Sequence, residues 1–340
     1  MRYISLLLLF VSSIATADFT FIVPQKPGAG TSQWTEIVVR EMQKYIDEKI
    51  TIKHIPGARD IPGFNAFHEE YMQDDKYVMV SHGGNGVSFL QENVKYDYAA
   101  YDSIGLMNLN IIAGKQKGSK LDPIKFAAGS GMVPEAYAMT MLRCGPDKTP
   151  EQYVTCFKDN VVWVKGMSGG ERRLAFRRGE LNATRENPAA YKKHVKPNDK
   201  AEVWFHHGIL QQDGSHKDDL NYPGYQFEIL FEKKWGVMPS GPLYDAYKLV
   251  KSFRDGLQKA IWVRAGNPNA ALLKETLNKV ATTPESIAEI EKAVGQYEWI
   301  IGENGNARRD LLMTFISKDA MNTLVYFNRE ALGLASVNKL

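Results

Sequence analysis

The chain has 340 residues, 44% hydrophobic and 24% charged, with 42 basic against 39 acidic residues and a net charge of +3. That balance is globular and excludes a disordered, collagenous or low-complexity chain. At roughly 150 residues per domain it predicts two domains. No basic excess marks a nucleic-acid binder, and two cysteines are too few for a disulfide scaffold or a four-cysteine zinc site.

Met1-Arg2-Tyr3 precedes a nearly unbroken apolar run, Ile4 to Val11, and then Ala15-Thr16-Ala17. A positive start, a short apolar core and an Ala-x-Ala end make a secretory signal peptide. The run is too short to span a bilayer as a helix. Cleavage is expected after Ala17, leaving a soluble periplasmic chain from Asp18; a buried N-terminal strand or an uncleaved anchor is the other reading. Export gives the cysteines meaning. Cys144 and Cys156 are the only two, and in an oxidising compartment a disulfide between them is expected. Closing that loop stabilises by about 3 kcal/mol on the chain-entropy argument.

Phe19 to Val23 reads as a first strand, followed by the loop Gly28-Ala29-Gly30-Thr31-Ser32. The helix after it carries Trp34, Ile37, Val38, Met42, Tyr45 and Ile46 on one face. Ile50 to Ile55 is a strand, then comes the glycine-rich turn from Pro56 to Gly63 and a second helix. Tyr77 to Ser81 is a third strand, running into Gly83-Gly84-Asn85-Gly86. Alternation of strand, loop and helix predicts a parallel sheet covered by helices. Ser103 to Gly114 is apolar and extended and reads as a crossover to a second domain. There the pattern returns: strand Ile124 to Ala128, loop Gly129-Ser130-Gly131, a helix opened by Pro134, strand Val161 to Lys165, loop Gly166 to Gly170, an arginine-rich helix, and strand Glu180 to Thr184. His206 to Pro223 is polar and turn-rich, as a surface insertion would be. Ala260 to Ala265 is a later strand, and the chain beyond Pro268 is mostly helical.

The loops share one physics. Parallel strands deliver their loops to one sheet edge, and each helix they open offers free amides and a dipole that favour an anion. Three local matches compete with that reading. Gly28-Ala29-Gly30 starts like a dinucleotide fingerprint, but Gln33 stands at the third glycine position. Ser168-Gly169-Gly170-Glu171-Arg172 looks like a transport-ATPase signature, yet no phosphate-binding Gly-x4-Gly-Lys loop accompanies it. Gly166-Met167-Ser168-Gly169-Gly170 fits the nucleophile elbow Gly-x-Ser-x-Gly between a strand and a helix. Asp199 or Asp213 with His206, His207 or His216 follows in the right chain order. A secreted serine esterase using Ser168 is therefore the alternative to a binding protein. The histidine spacing offers no metal site. The Arg172, Arg173, Arg177 and Arg178 run reads as a solvated helix face from which one of the first pair reaches an anion.

Assembled, the pieces resemble the extracytoplasmic solute receptors of the tripartite tricarboxylate transporter family. Val23-Pro24-Gln25-Lys26-Pro27-Gly28-Ala29-Gly30-Thr31-Ser32 is similar to that family's opening Val-Pro-aromatic-x-Pro-Gly-Gly-x-Thr-Asp. Ile55 to Asp60 stands where the family has Arg-Pro-Gly-Ala-Gly-Gly, Asp75-Lys76-Tyr77 where it has Asp-Gly-Tyr, and Val164-Lys165-Gly166 where it has Tyr-Lys-Gly-Gly. Gly179 to Asn182 and Ile261 to Pro268 resemble two further family segments. The similarity runs over most of residues 19–300.

The resemblance implies an α/β fold of the two-lobed periplasmic-binding-protein kind, type II, each lobe a mainly parallel sheet flanked by helices. It divides the chain into 18–114 plus 267–340 as one lobe and 115–266 as the other. It implies a monomeric, non-enzymatic receptor with no cofactor, which captures a small organic anion such as a carboxylate and hands it to membrane permease subunits. By position, Gly28, Ala29, Gly30, Thr31 and Ser32 grip the ligand from the first lobe, with Gly83, Gly84 and Asn85 lining the cleft. Gly129, Ser130 and Gly131, with Ser168, Gly169, Gly170 and Asn187, close from the second. The departures are Ser32 for the family's aspartate, Ala29 for its second glycine, Gln25 for its aromatic, and Arg59-Asp60 for a glycine pair. Ser32 is expected to serve as the N-cap of the first helix. A receptor fold recruited as a structural or signalling partner is a third reading.

Overall fold

The computed structural model describes residues 18–334 apart from 58–59, 84–87, 90, 92, 130–131 and 198. The expected signal peptide, Arg59, Gly84, Asn85, Ser130 and Gly131 lie outside the described residues.

A six-stranded sheet is the larger framework. Its strands are β1 (Phe19–Val23), β2 (Ile50–His54), β3 (Tyr77–His82), β4 (Tyr101–Met107), β12 (Lys259–Arg264) and β13 (Trp299–Ile301), in the order β13-β4-β12-β3-β1-β2. Side chains alternate between two cores, as the pleat requires. Phe19, Phe21 and Val23 of β1, with Ile261 and Val263 of β12, enter one core. It is closed by Trp34, Val38 and Met42 of α1 (Gly30–Met42) and Leu273, Leu277 and Val280 of α8 (Ala270–Thr282). Ile22, Met79 and Trp262 enter the other, against Phe64 and Phe67 of α2 (Ile61–Glu69) and the ring cluster Tyr96, Tyr98 and Tyr101.

The second half holds the sheet β8-β5-β9, formed by β5 (Ile112–Gln116), β8 (Ala183–Glu186) and β9 (Ala201–His206), and the pair β6 (Ile124–Ala128) and β7 (Val161–Lys165). A hairpin, β10 (Ile209–Leu210) and β11 (His216–Lys217), follows β9. Around them lie α3 (Pro134–Cys144), α4 (Pro150–Asn160), α5 (Gly169–Arg178), α6 (Phe227–Trp235) and α7 (Pro242–Gly256). Proline opens α3, α4 and α7 at the first turn, where its missing N–H costs nothing. The expected disulfide joins Cys144 at the end of α3 to Cys156 in α4. The chain ends through α9 (Pro284–Val294), α10 (Glu303–Thr314) and α11 (Lys318–Glu330).

The α/β fold class is the expected one, but the sheets are mixed rather than mainly parallel, because strands that cross between the halves enter from the opposite end. Pairing is parallel for β1–β2, β1–β3 and β6–β7, where helices return the chain to the same edge. β12 re-enters the large sheet from the second half of the chain. Lys259 at its start sits opposite His82 and Met107, the ends of β3 and β4, so β12 runs antiparallel to both. β5 begins opposite Glu186 and His206, the ends of β8 and β9, for the same reason.

Two further expectations are corrected. The segment from His206 to Pro223 is only in part a surface insertion: residues 211–218 and 220–223 are half-buried or exposed, but His206, His207, Leu210 and Asp219 are buried. Its polarity hides this because the groups satisfy one another. Asn110 donates to Asp219 at 2.9 Å, and His206 Nδ1 accepts from the Gly208 amide at 3.0 Å. The fourth second-half strand lies at Ala183–Glu186, a few residues beyond its expected place. Gly179 ends α5 in the left-handed conformation, so extended structure begins only after the turn.

Candidate functional site

The carboxyl ends of β1 to β4 and the start of β12 share one edge of the large sheet. At the first loop, Gly28 takes a φ of +79°, which favours glycine, and α1 begins at Gly30. Ala29 is the N-cap, no side chain caps the helix, and the first turn holds no acid. Ser32 is therefore not the expected N-cap. It sits one turn inside, buried, where its hydroxyl donates to Glu36 Oε1 at 2.8 Å and lies 2.9 Å from His54 Nε2. Gln25, at the aromatic position of the motif, accepts from the Thr31 amide at 3.2 Å. The first intrahelical bond runs from Gln33 to Ala29, so the Gly30 and Ser32 amides have no intrahelical acceptor.

Beneath this turn lies a residue that sequence reading missed. Lys259 is 6% exposed, and its ammonium donates to Thr31 Oγ1 at 2.7 Å. Burial pushes its pKa down to about 7, against a smaller opposing pull from Asp60. The neighbouring Gln258 accepts from the Gly83 amide at 3.0 Å. Gly83 has to be glycine, because a methyl group there would collide with that amide oxygen and with the Arg254 carbonyl. Asp60 is in ion-pair contact with His82.

In the second half, the Gly129 carbonyl accepts from the Gly166 amide at 2.9 Å, which ties the two glycine loops together. Ser168 is the N-cap of α5 in a capping box: its hydroxyl accepts from the Glu171 amide at 3.4 Å, and the Ser168 amide donates to Glu171 Oε2 at 2.7 Å. Gly169 and Gly170 form the first turn. Asn187 caps a short helical turn by accepting from the Ala190 amide at 2.8 Å. Its side chain is spent on the backbone.

A buried charge cluster lies behind these loops. Arg172, on the face expected to be solvated, is 7% exposed and reaches Glu186 at 3.1 Å, and Arg173 holds the same carboxylate with two bonds of 2.9 Å. Only the later pair keeps the expected exposure, with Arg178 at the surface. Glu135, in the first turn of α3, is fully buried with neither oxygen hydrogen-bonded; Arg185 is 3.7 Å away and His207 Nε2 3.9 Å. Burial alone would raise the Glu135 pKa, but Arg185, Arg254 and His207 outweigh it and hold the carboxyl below its ordinary range. Arg254 is pushed down to about 10 by burial and by Arg185, which leaves it charged at neutral pH. Its stem passes Gly83, so this cluster adjoins the large sheet's loops.

Among the described residues no hydrogen bond joins Ser168 to His206, His207 or His216; its hydroxyl accepts from the Glu171 amide. His207 Nδ1 bonds Asp255 at 2.9 Å, His206 Nε2 bonds the Tyr222 carbonyl at 3.1 Å, and Asp213 is taken by Ser215. The serine hydroxyl serves its own helix. Among the described residues no group of His, Cys, Asp and Glu could hold a metal, and no helix is long and apolar enough to cross a membrane. A separate groove of about 580 Å³, lined by Lys120, Arg143, Trp204 and Tyr225 among others, shares no residue with these loops.

This arrangement of sheets and loops is that of the two-lobed periplasmic binding proteins. Within that class the chain is similar to a TctC solute-binding protein from Polaromonas, with a TM-score of 0.58 and 13% identity over 92% of this chain and 100% of that one. It is similar to the periplasmic binding protein BugD, at 0.57 and 11% over 92% and 97%. It is also similar to MatC from Rhodopseudomonas palustris with bound malate, at 0.56 and 13% over 91% and 99%. The resemblance seen in the sequence motifs therefore extends to the fold. No family model and no curated protein matches the sequence.

Proposed function

We propose that this protein is an extracytoplasmic solute receptor that binds a small organic anion, a carboxylate, between two lobes and delivers it to membrane permease subunits. The observation that carries the reading is the opening turn of α1. It has the Gly30 and Ser32 amides without intrahelical acceptors, no capping side chain at Ala29, no acid in the first turn and a buried lysine amine beneath it, which is a setting for an anion. The structural neighbours support the ligand class, since MatC holds malate and a second R. palustris protein of TM-score 0.56 holds adipate. In this reading the lobes follow the sheets: residues 18–107 with 259–314 form one and residues 112–254 with α11 the other, so the expected return at 267 moves to before β12, which is hydrogen-bonded in the large sheet. Backbone groups of Gly28 to Ser32 and of Gly83 to Asn85 contact the ligand from one side, and those of Gly129 to Gly131, Ser168 to Gly170 and Asn187 from the other. The protein acts in the periplasm as a monomer, after loss of its first 17 residues, without catalysis or cofactor.

Thermal-shift measurements on the purified protein with a panel of mono-, di- and tricarboxylates test this. A ligand at a hundred times its dissociation constant stabilises by about 2.7 kcal/mol, a rise of a few degrees in Tm for a chain of this size. If no carboxylate in the panel moves the Tm, the ligand class is wrong.

A further inference from the structure

Lys259 stands out because buried ammonium groups are normally ion-paired, and among the described residues this one has no such partner. It opens β12 between His82 of β3 and Met107 of β4. An ammonium has three donors. One reaches Thr31, and the Trp34 ring lies 5.8 Å away. Among the described residues no carboxylate lies within ion-pair distance. Asp60, the acid that acts on it, is engaged by His82. The charge therefore faces the first turn of α1 from below with no ion-pair partner among the described residues, at the point where the proposed ligand docks.

Resting on that functional reading, we infer that Lys259 is the specificity-determining cation of the site: it selects a ligand whose fully ionised acid group docks on Gly30 to Ser32, and it takes up a proton from solvent when that group binds. The sign follows from burial. In the free protein the amine is protonated below about pH 7 and neutral above it. A docked carboxylate supplies the missing counter-charge and favours the ammonium. Binding then draws in up to one proton per ligand on the alkaline side, and affinity falls as pH rises. The ligand's carboxylates are fully ionised across that range and add no dependence. An ester or amide of the same ligand offers no counter-charge and is rejected. The other titratable groups nearby are Asp60 and His82, the His54 and Glu36 pair at Ser32, and Arg254 beyond Gly83. A dependence arising from either histidine would survive replacement of Lys259.

Isothermal titration with the strongest carboxylate of the panel, at pH 6, 7, 8 and 9 in two buffers of different ionisation heat, tests this. Expected are proton uptake approaching one near pH 8 and a tenfold loss of affinity from pH 8 to 9. Lys259→Arg should bind without pH dependence, and Lys259→Met should bind weakly at every pH. Zero uptake, or a pH dependence that persists in Lys259→Met, overturns the inference while leaving the receptor reading intact. If no carboxylate binds, the receptor reading fails instead. The lysine is then followed in the unliganded protein by NMR of lysine-labelled samples, where one signal, absent from Lys259→Met, should titrate near 7. A titration near 10 overturns the inference.

Discussion

Glu135 shows how little of this site a residue's type announces. In the sequence it is one acid after a proline. In the fold it is fully buried among Arg185, Arg254 and His207, and its partners lie dozens of residues away along the chain. The same holds for Lys259 and Thr31, 228 positions apart. A charged side chain reads as surface unless its partner is known, and long-range pairing is not a local property. The glycine loops and the cysteine pair were legible because each is a local device: a backbone turn, or two thiols a short loop apart. Glu135→Gln keeps the shape and removes the charge, leaving two guanidinium groups without their buried counter-ion. The expected loss is about 3 kcal/mol in urea denaturation at pH 7. Because the folded carboxyl titrates below its ordinary value, this stabilisation is complete above about pH 5 and is lost as pH falls through the folded pKa. The two proteins should therefore converge in stability at strongly acid pH, and a gap that stays constant down to pH 3 would exclude the charge as its cause.

At the scale of elements, β1, β6 and β7 lie where their alternation and flanking turns place them. β10 and β11 were illegible because two residues each set no period, and the buried polar groups around them that satisfy one another look like a solvated loop. β13 was read as helix: three residues are too few to set a period against the helices on either side. The loop at Ser168 illustrates a motif that matches in letters and differs in work. Gly-x-Ser-x-Gly makes a nucleophile only if a base takes the hydroxyl proton, and here, among the described residues, the hydroxyl bonds no histidine and accepts from the Glu171 amide as the cap of α5. Ser168→Ala is accordingly expected to cost about 1 kcal/mol of stability, read as a small fall in Tm. Hydrolysis of p-nitrophenyl esters should be at background in both proteins. Ester turnover in the parent that disappears in the variant would restore the esterase.

The whole molecule is joined by more than the crossover expected at Ser103 to Gly114, which is itself short because Ser103 to Met107 lies in β4 and Ile112 to Gly114 in β5. Residues 108–111 leave the large sheet and 255–258 return to it. They are bonded to each other where the Leu109 amide donates to the Asp255 carbonyl at 3.1 Å, and His207 braces both through Asn110 and Asp255. The C-terminal helices add a third connection. α10 lies against β4 of the large sheet, whereas α11 lies on α3, α4 and α7. There the Phe327 ring lies tilted 4.9 Å from Tyr137 and edge-on 5.5 Å from Phe157, and Tyr137 donates to Asn328 at 2.7 Å. The end of the chain is thus part of the second half's core, although its sequence neighbours serve the first. A fully buried phenylalanine removed from such a cluster costs about 3–5 kcal/mol. Phe327→Ala should lower the unfolding free energy by that amount, read as a fall in the urea midpoint, while keeping a single transition seen alike by tryptophan fluorescence and circular dichroism, because α11 belongs to one cooperative unit with α3 and α4. If α11 were an appendage, the variant would instead lose helix signal in a separate early step and leave the main midpoint where it was.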